Sequence, residues 1–223
     1  MNFNNKAILK FLGLFLLFYL LLNVLIPLAK IDTVFQNTFK TIAQTAFKNY
    51  NKVGIIEFLD KVPKQHKTNP FGRAHKKLYV KMMNQQQYNA AIAEAKRQRA
   101  SSVNINHAEF ELDLWQFFWI PAILLMALTL ATPITLKQKL IAFILGLLTF
   151  ELFTGFRFWV RFTTEINRHG WLQLGTLGTN GKWLVTHLNT ILMFIGVSMA
   201  VAAIVWAIFA ASKVNYKGFL EED

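Results

Sequence analysis

Four stretches of this chain are too long and too apolar to serve as ordinary core in a soluble domain of its size. They run from Phe11 to Ala29 (FLGLFLLFYLLLNVLIPLA), from Leu114 to Thr132, from about Leu140 to Phe156, and from Leu188 to Ser212. A run of about 20 apolar residues crosses the roughly 30 Å hydrocarbon core as a helix. Inside lipid every backbone polar group must be bonded within its own segment, so helices are expected. The expected fold class is an all-α membrane protein with four transmembrane helices and a small extracytoplasmic α(+β) segment between the first and second. That implies an N-terminal anchor over 1–29, an extracytoplasmic segment over 30–113, a three-helix membrane region over 114–212 and a cytoplasmic tail over 213–223.

The first run follows Lys6 and Lys10 and is also readable as a signal peptide, with Pro27, Leu28 and Ala29 at a cleavage site. Its apolar stretch exceeds the roughly 7–15 residues of a signal core, so an uncleaved anchor is expected. The 223 residues include no cysteine, which excludes disulfides, thiolate metal ligands and a cysteine nucleophile.

The net charge of +12 bears on orientation. With the N-terminus inside, the short cytoplasmic pieces carry Lys6 and Lys10, then Lys137 and Lys139, then Lys213 and Lys217. The short outer connection carries Arg157, Arg161, Arg168 and Lys182. The balance favours cytoplasmic termini, by a narrow margin. Trp115, Trp119, Trp159, Trp171 and Trp183 fall near one expected boundary, where amphipathic rings favour the headgroup level. Trp206 falls toward the other.

Between the first two runs, Phe35, Phe39, Ile42, Ala43, Ala46, Phe47 and Tyr50 recur at helical spacing, with Lys40, Lys48 and Lys52 on the polar side. The helix they form packs on its own domain, lies in the membrane interface, or docks on a partner. Gly54 to Val62 reads as a strand or a helical turn. PKQHKTNPFGRAHKK (63–77) reads as an exposed loop, and Tyr88 to Ala100 as a second helix. The basic loop suits solvent, anionic lipid or polysaccharide; nucleic acid is not expected, because the interleaved aromatics of a base-stacking groove are missing.

His107, Glu109, Glu111 and Asp113 share one face of a strand, and Ala108, Phe110, Leu112 and Leu114 the other. Such a row fits a salt-bridged strand, a hard-cation or zinc site, or an acid–base pair. The salt-bridged strand is the expected reading, pairing with Gly54–Val62 and handing over to a membrane span.

Glu151 lies over halfway along the third run. An ionisable residue at that depth is costly and marks a functional candidate. A protonated or hydrogen-bonded structural carboxyl is the expected reading, with His187 and Asn189 of another helix as candidate partners; the alternatives are a contact with another protein and a proton or ion pathway. Arg157, Arg161 and Arg168 are expected to reach outer headgroups or to bind a lipid phosphate. In the fourth run Gly196, Ala200, Ala203, Ala207 and Ala211 repeat at three- and four-residue intervals. This is a close-packing face for the chain's own bundle or for another subunit.

IPLAKIDTVFQNTF, leaving the first run, and ALTLATPITLKQKLIAFILGLLTFEL, turning between the second and third, together resemble the small multi-span proteins that accompany exosortases in bacterial envelopes. That resemblance implies an accessory protein assisting a membrane transpeptidase that processes C-terminal sorting signals. It covers under a fifth of the chain, and exosortases use a catalytic cysteine that this chain lacks, so no active-site residue carries over. The expectation is a non-catalytic accessory subunit with the bilayer and a membrane protein as partners, anionic lipid as a further one, and no cofactor. The alternatives are a small transporter using Glu151 and an outer-face lipid- or glycan-processing enzyme.

Overall fold

Helices account for most of the described residues, and a small three-stranded antiparallel sheet is set among them. The computed structural model describes residues 5–47, 50, 52–60, 77–99, 105–175 and 177–214. The basic loop at 63–76, Lys48, Ala100 and Lys217 lie outside them. In order the elements are α1 (Asn5–Leu28), α2 (Ile31–Phe47), β1 (Gly54–Leu59), β2 (Lys77–Asn84), α3 (Gln85–Gln98), β3 (Ala108–Asp113), a π-helical turn (Trp115–Trp119), α4 (Ile120–Ala131), α5 (Leu136–Arg168), α6 (Thr179–Leu192) and α7 (Ile195–Phe209).

The chain divides into two units. One comprises Met1–Asp32, Gln116–Phe158 and Ile191–Asp223; the other comprises Thr33–Trp115 and Trp159–Thr190. Residues 33–115 therefore fold together with 159–190.

The first unit is built around α4. Eight of the twelve α4 residues are buried, among them Ala122, Ile123, Leu125 and Ala127, and both α1 and α7 pack on it. Gly146 of α5 sits where a Cβ would touch Leu125 of α4 and Val205 of α7, each at 3.6 Å. Among the described residues three helices are long and apolar enough to cross a membrane: Asn5–Leu28, Leu136–Arg168 and Ile195–Lys213, the last being α7 with a following 3-10 turn.

The expected span at Leu114–Thr132 is shorter. Its five-residue π turn and twelve-residue α4 extend about 25 Å at 1.5 Å per residue. Thr135 opens α5 as a capping box: its backbone N–H donates to Gln138 Oε1 at 3.0 Å, and Gln138 N–H donates to Thr135 Oγ at 3.4 Å. The third run lies wholly inside α5.

The fourth run is broken where continuity was expected. α6 ends at Leu192, and Phe194 is extended (φ −69°, ψ 122°) before α7 begins. Gly196 fits there because a Cβ would come within 2.5 Å of the Phe194 ring.

In the second unit β2 is the central strand, with β1 and β3 antiparallel on either side. The expected pairing of β3 with Gly54–Val62 is thus corrected: both flank Lys77–Asn84, which the sequence reading left in and beyond a loop. The register sets Ile56 opposite Met82 and Phe58 opposite Val80. Across the other edge it sets Val80 opposite Phe110 and Leu78 opposite Leu112. Those side chains form one buried face. α2 closes the outer edge of β1 through Gln44, whose Nε2 donates to the Ile56 carbonyl at 3.0 Å and whose Oε1 accepts from Phe58 N–H at 3.1 Å. One side-chain amide thus does the work of a neighbouring strand. Phe47 stacks 4.6 Å from Phe162, which Tyr50 meets edge-on at 5.1 Å; such pairs are worth about 1 kcal/mol each beyond area burial.

Candidate functional site

Each unit holds its own polar cluster, built on a different part of α5.

In the first unit the cluster is Arg157. It is expected from sequence at the headgroups, yet it is 2 % exposed. Its Nε donates to the carbonyl of Leu192 at 2.8 Å and its Nη1 to the carbonyl of Phe117 at 2.7 Å. Its guanidinium lies 4.2 Å from the centre of the Phe117 ring and 5.7 Å from that of Phe153. The snorkelling reading is therefore corrected for this residue. Leu192 is the last residue of α6, where carbonyls lose their intrahelical partners, and Phe117 sits in a π turn. Arg157 supplies donors to backbone that the two irregularities leave short.

Glu151 is half-buried and, among the described residues, makes no hydrogen bond or ion pair. The partners expected for it are placed as follows. His187 Nδ1 meets the Trp183 carbonyl at 2.8 Å and its ring packs on Trp183. Asn189 Oδ1 is buried with no hydrogen-bond partner.

The small residues expected to form the packing face, Gly196, Ala200, Ala203, Ala207 and Ala211, are not the ones that α7 buries. Ser198, Ala202 and Val205 are the buried residues of this helix, which packs on α4. Ala200 and Ala207 are exposed, and Gly196, Ala203 and Ala211 half-buried. Trp115 and Trp119 are buried within the protein, whereas Trp159, Trp171 and Trp183 are exposed.

In the second unit the cluster is centred on Glu165, 3 % exposed near the end of α5. Arg161 Nη2 lies 2.9 Å from Glu165 Oε1, Arg168 Nη1 3.8 Å and His169 Nε2 3.9 Å from Oε2. The i, i+4 spacing of Arg161 and Glu165 is what brings them together. Arg161 also lies over Phe110 of the sheet, 5.6 Å from the ring centre. These α5 side chains line an open cleft of about 400 Å³ with Lys182, Thr186, Asn189 and Thr190 of α6. Thr164 donates to the Val185 carbonyl at 3.4 Å, and Asn167 Oδ1 accepts from Leu177 N–H at 2.9 Å. Sequence reading placed Arg161 and Arg168 together but missed Lys182, Thr186 and Thr190. Their i, i+4, i+8 spacing, which sets them along one side of α6, is the signal that marks them.

The acidic strand makes pairings within its own sheet and to the turn that follows it. Glu109 and Glu111 are exposed and Phe110 and Leu112 buried, as the alternation requires. Lys77 pairs with Glu111, and Tyr79 Oη donates to Glu111 Oε2 at 3.1 Å. The hydrogen bond to Glu111 raises the Lys77 ammonium above its ordinary value; burial first, and then Glu111, raise the Tyr79 phenol. Lys81 faces Glu57 and Glu109 across its two registers. His107 Nε2 is 4.0 Å from Glu109. Asp113 Oδ1 accepts from Trp115 N–H at 3.0 Å and so caps the turn into α4. Among the described residues no group of three or more His, Cys, Asp or Glu is placed to hold a metal.

Comparison with protein-family models, with curated proteins and with solved structures finds no match.

Proposed function

We propose that this chain is a non-catalytic integral membrane subunit of a larger bacterial envelope assembly. The observation that carries the reading is Glu151. It is a half-buried carboxyl inside a long apolar helix, and no described residue bonds it. A carboxyl at membrane depth is stabilised by a partner or by a functional role, and a polar group on a second protein meets that need. The resemblance in the 26–39 and 127–152 regions names the class of partner: a membrane enzyme that processes sorting signals.

In this reading α1, α4, α5 and α7 all cross the inner membrane, and both termini lie in the cytoplasm. The short α4 crosses because α1 and α7 cover it, so little of it meets lipid directly.

The test is photo-crosslinking from position 151 in intact membranes, with position 144 as control, since Ile144 is 57 % exposed on the same helix. The expected outcome is one discrete membrane-protein adduct from 151 and none from 144, with Glu151→Leu losing the same protein on purification in mild detergent. Equal, diffuse labelling from both positions would remove the reading. The transporter alternative uses the same residue and gives a different result: Glu151→Gln would abolish proton-coupled uptake in proteoliposomes made from this chain alone.

A further inference from the structure

The cleft of the second unit holds more polar capacity than the protein uses. Of its three cations, Arg161 is committed to Glu165, while Arg168 keeps 72 % of its side chain exposed at 3.8 Å from that carboxylate. Lys182 makes no ion pair among the described residues, and the Thr186 hydroxyl makes no hydrogen bond among them. Asn189 Oδ1 is buried without a partner. Three cations less one carboxylate leave an excess of two positive charges around about 400 Å³, a volume within the range of small-molecule sites.

We propose that this cleft binds the phosphoryl group of a phosphate ester. Arg168 offers a planar fork for two phosphoryl oxygens and Lys182 a compact point charge. The Thr186 hydroxyl donates to a third oxygen, and the orphaned Asn189 Oδ1 accepts from a hydroxyl of the esterified group beyond the phosphorus. Glu165 keeps Arg161 in place and limits the charge excess to what one mono- or dianionic phosphoryl group neutralises. A polyanion would leave charge unmatched. Arg157, the other arginine of the row, is spent on backbone carbonyls and plays no part.

The ester comes either from a lipid headgroup or from a soluble phosphate, and one experiment separates them. The full chain in a neutral detergent is titrated with inorganic phosphate, with short-chain phosphatidylglycerol and with short-chain phosphatidylcholine, and binding is read by thermophoresis. The expected result is saturable binding of phosphate or phosphatidylglycerol, weakened about tenfold or more in the Arg168→Gln/Lys182→Gln double variant. The charge-conserving Arg168→Lys/Lys182→Arg variant still binds saturably, with a smaller loss than the double glutamine variant, and controls for folding. Tighter binding of phosphatidylglycerol than of phosphate assigns the headgroup, and the reverse assigns the soluble ester. No saturable binding of either anion, equal binding of phosphatidylcholine, or an unchanged affinity in the double glutamine variant would overturn the proposal.

Discussion

The Nε of Arg157 lies 2.8 Å from the carbonyl oxygen of Leu192, 35 residues away in the chain and at the end of another helix. With the second bond to Phe117, one side chain joins the break between α6 and α7 to the π turn before α4. Arg157→Met removes the donors and leaves both carbonyls short of a partner. An unmet buried polar group costs roughly 1–3 kcal/mol, partly offset by relief from burying a charge. A net loss of about 2 kcal/mol is expected, lowering the thermal unfolding midpoint in detergent by about 5 °C. Arg168→Met, at an exposed position, shifts the midpoint by less than about 1 °C.

Gln44 closes the edge of β1 with two hydrogen bonds to the same strand. Gln44→Leu keeps the side chain's bulk and loses both. The expected outcome is a destabilisation of the second unit by roughly 1–3 kcal/mol. Hydrogen exchange read by mass spectrometry will show the Phe58 amide exchanging faster while α7 is unchanged. Protection of Phe58 equal to wild type would contradict the role given to Gln44.

Lys77 and Tyr79 give the sheet a dependence on high pH. Both groups are raised in the folded chain above their ordinary values of 10.5 and 10.0. Below those values both are protonated, folded or unfolded, and their contribution is fully present. As pH rises through the window, the unfolded chain releases its protons first, so stability falls until the folded values are passed. The unfolding midpoint is expected to drop more steeply as pH rises through and above those ordinary values in wild type than in a Lys77→Met/Tyr79→Phe variant. Parallel curves would contradict it.

The sequence discloses the outer strand and hides the central one, for a physical reason. β3 has one covered face, so Glu109 and Glu111 alternate with Phe110 and Leu112, and the period of two is visible. β2 has neighbours on both sides and buries Tyr79 and Met83 as well as Leu78, Val80 and Met82. KLYVKMMN therefore shows no alternation. The break at Met193 and Phe194 is equally silent, because the chain around it, Ile191 to Val197 (ILMFIGV), carries no polar side chain to mark it. Its partner, Arg157, lies in a different helix and is visible only in three dimensions. α7 is apolar all round, so its small residues do not reveal which side meets α4; the neighbours select Ser198, Ala202 and Val205 instead. The cleft is half legible: Arg161 and Glu165 stand at helical spacing in one helix, whereas Lys182 and Thr186 join them only through the fold.

Four membrane crossings are the claim on which the functional reading depends, and the absence of native cysteine makes them directly measurable. Single cysteines at Lys6, Ile134, Leu177 and Lys213 are labelled in intact cells with a membrane-impermeant maleimide, then again after permeabilisation. Crossing by α1, α4, α5 and α7 leaves Lys6→Cys, Ile134→Cys and Lys213→Cys protected until permeabilisation and Leu177→Cys labelled from outside. If α4 does not cross, Ile134→Cys and Lys213→Cys label from outside while Leu177→Cys and Lys6→Cys stay protected, and the account fails.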